Sequence, residues 1–387
     1  MNFDVLFDRT NTNCWKWDAE GKGTKYPMGT ADLDFRIATP IKEALFNKIN
    51  EDALTYIADY DSPKKHFCEY HNRHYGVNLN SSYVCFTNGT MVALKNMIEA
   101  YTNVGDKIIV QPPVFNYFKP TAENIGRKVV NNEMIYDRAK GTYNFNFDEL
   151  EQLCKDESTK LLVICNPINP ISRAIRKEEL IKIMDICLKN NVIVISDEIH
   201  SDFYFNELKH ISVFSLDEKY RNNAVMFTGT GKTFNLHGLY TCFVVIENEL
   251  LRNKYLDVYN KSRMDAIDLG LVAASAAYTQ CDDYVSELQC YISENADIIT
   301  NFFSVNNLRI KLVKIEATYL AFLDLKDWYL TSEDLDKLFR EYSLVLSKGN
   351  VFSEYTDGFM RIDFATQKSK LIEALNIIKT VFEERIK

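Results

Sequence analysis

The chain is expected to adopt an α/β fold: a mostly parallel central sheet in a large domain, with a smaller α+β domain built from the N- and C-terminal segments. Two observations lead there. Short, continuous apolar runs alternate with longer helical patterns through the middle of the chain, between about residues 87 and 247. Polar residues that can carry chemistry follow three of those runs at their carboxyl ends.

The apolar runs are residues 107–111 (KIIVQ), 160–165 (KLLVIC), 191–196 (NVIVIS), 224–227 (AVMF) and 241–246 (TCFVVI). None alternates with polar residues, so each predicts a strand covered on both faces, as in parallel sheets. Residues 177–190 (KEELIKIMDICLKN) have helical spacing and supply a crossover. At 387 residues the chain exceeds one compact core. Residues 46–250 are therefore assigned to the large domain. Residues 1–45 join a small domain, and residues 251–387 contribute a linking helix and the rest of it. Residues 251–305 are helical in pattern, 344–364 mix short strands and turns, and 369–387 form a last helix.

Composition excludes several classes. Hydrophobic residues make up 46%, enough for a folded core, and the net charge of −9 without any long Lys/Arg run argues against nucleic acid as a partner. Residues 1–10 alternate acidic and apolar side chains and lack the pattern of a signal peptide, so a cytoplasmic location is expected. No apolar run approaches the roughly 18 residues of a membrane span. Nine cysteines without a C-x-x-C pair fit reduced thiols. Cys68, His71 and His74 share one helical face, but no fourth ligand is in view, so no metal is expected.

In open α/β sheets, ligands bind beyond the carboxyl ends of the strands. After KLLVIC come Asn166-Pro167-Ile168-Asn169-Pro170; after NVIVIS come Asp197, Glu198 and His200; after AVMF comes the run from Thr228 to Thr233. Gly231-Lys232-Thr233 invites comparison with a nucleotide-binding loop. That motif needs a glycine where Met226 stands, and a helix where FNLHG leads into another strand. The better account makes Lys232 a Schiff-base lysine for the aldehyde cofactor pyridoxal 5′-phosphate, with Asp197 beside the ring nitrogen and Asn169 donating to the ring hydroxyl. The competing reading is three solvated loop residues. Gly89, Thr90 and Met91 enter a helix whose N-terminal N–H groups suit the cofactor phosphate, unless Asn88 or Thr90 simply caps that helix. Arg361 lies in an alternating strand pattern and suits a substrate carboxylate, or else a surface ion pair.

The pattern resembles the fold-type I pyridoxal phosphate enzymes, and within the class I/II aminotransferase-like family the cystathionine β-lyase branch of MalY/PatB type. The resemblance rests on Asp8-Arg9, Lys16-Trp17-Asp18, ADLDF at 31–35, NPINP at 166–170, SDEIHSD at 196–202, KTFN at 232–235 and Phe359-Met360-Arg361. It implies Lys232 as the Schiff-base lysine, Asp197 as the ring-nitrogen partner, Asn169 as ring-hydroxyl donor and Arg361 as substrate-carboxylate clamp. It also implies His200 beside the cofactor, Asp34 on the substrate side, and Phe115 stacked on the ring where a tyrosine is usual. Tyr56 matches a tyrosine that reaches the neighbouring subunit's phosphate, which implies a homodimer with shared active sites. The chain departs from the family at Ile171-Ser172 in place of Thr-Gly, at Gly231 in place of a serine, and at residues 365–367. Thr228 or Thr230 is the expected substitute for the lost serine hydroxyl.

The expected function is carbon–sulfur β-elimination from cystathionine or a related cysteine S-conjugate, with Lys232 also taking the Cα proton. Amino-group transfer uses the same residues and is the alternative. A non-catalytic protein of this fold, acting through partner contacts, is the second alternative.

Overall fold

The computed structural model describes residues 1–387 apart from Phe7 and Arg263. Its centre is a seven-stranded sheet made of β1 (Val84–Thr87), β2 (Lys107–Val110), β3 (Lys128–Asn131), β4 (Thr159–Cys165), β5 (Ile193–Asp197), β6 (Ala224–Gly229) and β7 (Cys242–Val245), in the order β1-β7-β6-β5-β4-β2-β3. β7 runs antiparallel to both β1 and β6, while β6, β5, β4, β2 and β3 pair in parallel.

Successive side chains on a strand face opposite sides, and here both sides are covered. Ile109, Leu162, Ile164, Val194, Met226 and Phe243 pack into one core. Ile108, Leu161, Val163, Ile195, Val225 and Val244 pack into another, with Ala93, Leu94 and Met97 of the helix Thr90–Tyr101. This is why the runs are continuously apolar. β3 is the exception, since it is an edge strand whose KVVN is half-buried at best, and its two valines are too few to mark a strand in the sequence.

The two ends of the chain meet. Tyr26–Pro27 pairs in parallel with Leu344–Val345, and a four-stranded antiparallel sheet joins Lys311–Leu312, Leu320–Asp324, Phe359–Asp363 and Ser347–Lys348. The helical stretch beyond β7 divides into Glu249–Ser262, Asp268–Gln280 and Asp282–Val305. The final helix, Lys368–Val381, ends earlier than its pattern suggests and passes into a wider turn over Phe382–Ile386. Ser172 adopts φ 54°, the left-handed region that suits the family's glycine, and its hydroxyl reaches the Leu320 carbonyl and Thr318 Oγ1. No helix among the described residues is long and apolar enough to cross a membrane.

Candidate active site

Register sets the site. Cys165 at the end of β4 lies opposite Asp197 at the end of β5, and Asp197 lies opposite Phe227 of β6. The loops carrying Asn169, Asp197 to His200 and Lys232 therefore leave the sheet side by side, which strand-end reasoning anticipates.

Two adjacent acids at the end of β5 have opposite fates. Glu198 accepts from His210 Nε2 at 2.7 Å, Ser196 Oγ at 2.9 Å and the Val213 N–H at 3.1 Å. Burial would push its carboxyl up, but His210 and these donors outweigh that and hold it low. Asp197 is also deeply buried and, among the described residues, receives only the Ile199 N–H, at 3.1 Å. Burial pushes its carboxyl up to about 7, against the weaker pulls of that N–H and of Lys232. Glu198 thus stabilises the fold, whereas Asp197 is a buried acid with no cation bonded to it among the described residues.

Lys232 Nζ donates to the Ala31 carbonyl at 2.7 Å. Burial pushes its amine down to about 8; the negative charge of Asp32 opposes this and the positive charge of Arg361 adds to it. His200 has its ring edge-on to Tyr319 at 5.3 Å, and neither ring nitrogen has a hydrogen-bond partner among the described residues. Burial, followed by the charges of Lys232 and Arg361, keeps it neutral. Arg361 donates from Nη1 to Asn169 Oδ1 at 2.9 Å and from Nη2 to the Gly29 carbonyl at 2.7 Å and Ser347 Oγ at 3.0 Å. Its Nε is buried without a hydrogen-bond partner among the described residues. The surface ion pair considered for it does not form, because the side chain is only 6% exposed and crosses the Phe352 ring at 4.9 Å.

Beside Lys232 lies a cavity of about 300 Å³ lined by Gly89, Thr90, Met91, Phe115, Ile199, Gly231 and His237, among others. The helix Thr90–Tyr101 opens onto it. Gly89 occupies the N-cap position at φ 108°, and no side chain caps the helix. The capping alternative for Asn88 or Thr90 therefore fails, and the first N–H groups face a space suited to an anion.

The structure brings together Lys232, Asp197, His200, Asn169 and Arg361, and sets Phe115, Gly89, Thr90 and Met91 around the adjoining cavity. Asp34, Tyr56 and Thr228 lie elsewhere or are otherwise engaged. Asp34 is held by Trp17 Nε1 at 2.9 Å, Arg9 Nη1 at 3.1 Å and Lys16 Nζ at 3.2 Å, so its oxygens are occupied; Asp32 is the acid of that segment whose charge bears on Lys232. Tyr56 is fully exposed on a separate groove with Lys48, His66 and Asp268. Thr228 Oγ1 donates to the Glu198 carbonyl at 3.0 Å, which commits that hydroxyl, while Thr230 is buried on the loop before Lys232. Sequence reasoning missed Ala31, Ser347, Tyr319 and His237, whose positions depend on contacts distant in the chain.

Pyridoxal 5′-phosphate fits these residues. The unpaired His200 nitrogens, the lone Asp197 carboxyl, the flat Phe115 and the uncapped helix end are unmet groups that a ring nitrogen, a ring face and a phosphate would satisfy.

The family model for aminotransferases of class I and II matches residues 35–378. Cystathionine beta-lyase PatB of Bacillus subtilis is 30% identical over 385 residues, covering 98% of this chain and 99% of that protein. Among solved structures, the PLP-bound putative aminotransferase of Clostridium difficile is 30% identical with a TM-score of 0.94, covering 98% of this chain and 99% of its own. Cystalysin of Treponema denticola, solved with pyridoxal 5′-phosphate, is 27% identical with a TM-score of 0.94, covering 99% of both chains. A match over nearly the whole length, on a fold with the expected sheet and strand-end site, makes this chain a member of the class I and II aminotransferase family.

Proposed function

We propose that the chain is a pyridoxal 5′-phosphate-dependent carbon–sulfur β-lyase that cleaves cystathionine, or a related cysteine S-conjugate, with water to a thiol, pyruvate and ammonia. The cofactor half rests on Asp197, a buried acid with no cation bonded to it, set at a strand end beside Lys232. The lyase half rests on the full-length similarity to a cystathionine β-lyase.

When bound, the cofactor's protonated ring supplies a sink for the electron pair left at the substrate Cα. Asp197 accepts the ring N–H and keeps that proton in place. Asn169, whose oxygen is held by Arg361, has its amide NH₂ free to donate to the ring hydroxyl. Arg361 binds the substrate carboxylate, and Phe115 covers a ring face. Lys232, its amine pushed down to about 8, would be a competent base near neutral pH when its nitrogen is free. It removes the Cα proton, and the C–S bond then breaks with its electron pair leaving on sulfur. The proton held on Lys232 is available to that sulfur.

A cytoplasmic homodimer is part of this reading, with Tyr56 serving the neighbouring active site; its full exposure on its own chain is consistent with that role. Amino-group transfer remains the second reading, because the same residues serve it and the Clostridium difficile relative is described as a putative aminotransferase. The deciding experiment supplies cystathionine to the cofactor-loaded protein and follows pyruvate and ammonia, in parallel with keto-acid exchange from a panel of amino acids. Pyruvate without added keto acid supports the lyase; exchange without pyruvate replaces it by a transferase.

A further inference from the structure

We infer that His237 takes the place of the missing side chain at position 231 and donates a hydrogen bond to the cofactor phosphate. The inference rests on pyridoxal phosphate being the cofactor. Gly231 directly precedes Lys232 and offers no side chain to the cup. A Cβ built on it would meet His237 Nδ1 at 3.0 Å, Cε1 at 3.1 Å and Cγ at 3.2 Å. The imidazole thus fills the volume that a side chain at 231 would enter.

The same ring lines the cavity onto which the helix Thr90–Tyr101 opens, alongside Asn88, Gly89 and Thr90. Among the described residues no hydrogen bond engages its nitrogens. Its position is set by a short turn, His237–Leu239, in which Leu239 N–H donates to the Leu236 carbonyl at 3.0 Å and Tyr240 N–H to the His237 carbonyl at 3.1 Å. The Thr228 hydroxyl is committed to the Glu198 carbonyl. An imidazole N–H facing a phosphate forms a charge-assisted bond, stronger than a neutral one. Glycine at 231 and histidine at 237 are in this view one exchange: the donor moved from the residue before the lysine to a ring that reaches the same spot from the next turn.

Equilibrium binding of pyridoxal 5′-phosphate and of pyridoxal, which lacks the phosphate, to the apoprotein tests this in the wild type and in His237→Ala, Gly231→Ser and the double variant. His237→Ala is expected to weaken pyridoxal phosphate binding by about tenfold to a hundredfold and to leave pyridoxal binding unchanged. Gly231→Ser added to His237→Ala should restore most of the loss, because the hydroxyl enters the freed volume. Gly231→Ser alone should gain nothing, since the ring stands in its way. Unchanged phosphate-form binding in His237→Ala, or an equal loss for both compounds, would overturn the inference. A wild-type protein that binds neither compound would instead overturn the cofactor reading on which it rests.

Discussion

Arg361 Nη1 donates to Asn169 Oδ1 at 2.9 Å, joining a strand of the four-stranded sheet to the loop that follows β4 of the central one. The bond decides which way the Asn169 amide faces, because its oxygen is already taken. The proposed substrate clamp and the proposed ring-hydroxyl donor are therefore one unit. Asn169→Ala should raise the KM for an amino-acid substrate by roughly tenfold, the effect of leaving a buried guanidinium N–H unpaired. It should also shift the visible spectrum of the bound cofactor, whereas a residue that touched only the ring would alter the spectrum alone.

Lys232 is assigned both the covalent anchor and the proton transfer. Lys232→Ala should lower kcat by about 10²–10⁴-fold and abolish the visible band of the lysine-bound cofactor. Cofactor content measured after denaturation should fall less than the activity, because the phosphate cup and Asp197 remain.

Asp197 makes the apoprotein's stability depend on pH. Its folded-state value of about 7 lies above the ordinary 3.8 because burial disfavours the charge. Between those values the folded chain holds a proton that the unfolded chain has released, so stability falls as pH rises and levels off above 7. From pH 5 to pH 7 this amounts to about 2–3 kcal/mol. Asp197→Asn should remove that much of the slope in urea unfolding of the apoprotein, while impairing the loaded enzyme.

The charged cluster behind Lys232 is structural. Lys16, fully buried, donates to Asp363 Oδ2 at 2.9 Å, Asp34 Oδ2 at 3.2 Å and the Asp32 carbonyl at 2.8 Å. Burial alone would strip its proton, but the three acids hold it charged. Lys16→Met leaves Asp34 with Arg9 and leaves Asp363 buried without an ion-pair partner among the described residues, and should cost about 3–5 kcal/mol in urea unfolding.

Most of the sheet was legible because β2, β4, β5, β6 and β7 are covered on both faces, so their apolar runs need no alternation to be seen. β3 was not, because an edge strand open to solvent keeps only two valines, and neither was β1, a buried four-residue run at the other edge that is too short to stand out. At the site, Lys232, Asp197 and Asn169 follow directly from lying at strand ends, which is a local property. Asp34 and Asp32 share one five-residue motif, and only tertiary contacts distinguish the acid locked to Lys16 and Trp17 from the one whose charge reaches Lys232. The pairing of Lys16 with Asp363 spans 347 residues of sequence and leaves no pattern. His237 is a single histidine in a turn, and it gains meaning only from the empty side of Gly231.

The central claim, that one amine and one buried acid serve the same pyridine ring, is tested most directly by trapping. The protein is loaded with pyridoxal 5′-phosphate, reduced with borohydride, digested and mapped by mass. The account predicts a single phosphopyridoxyl group, on Lys232, in the wild type, with labelling at low cofactor concentration markedly weakened in Asp197→Ala. A label on another lysine, or labelling of Lys232 that does not depend on Asp197, would contradict it.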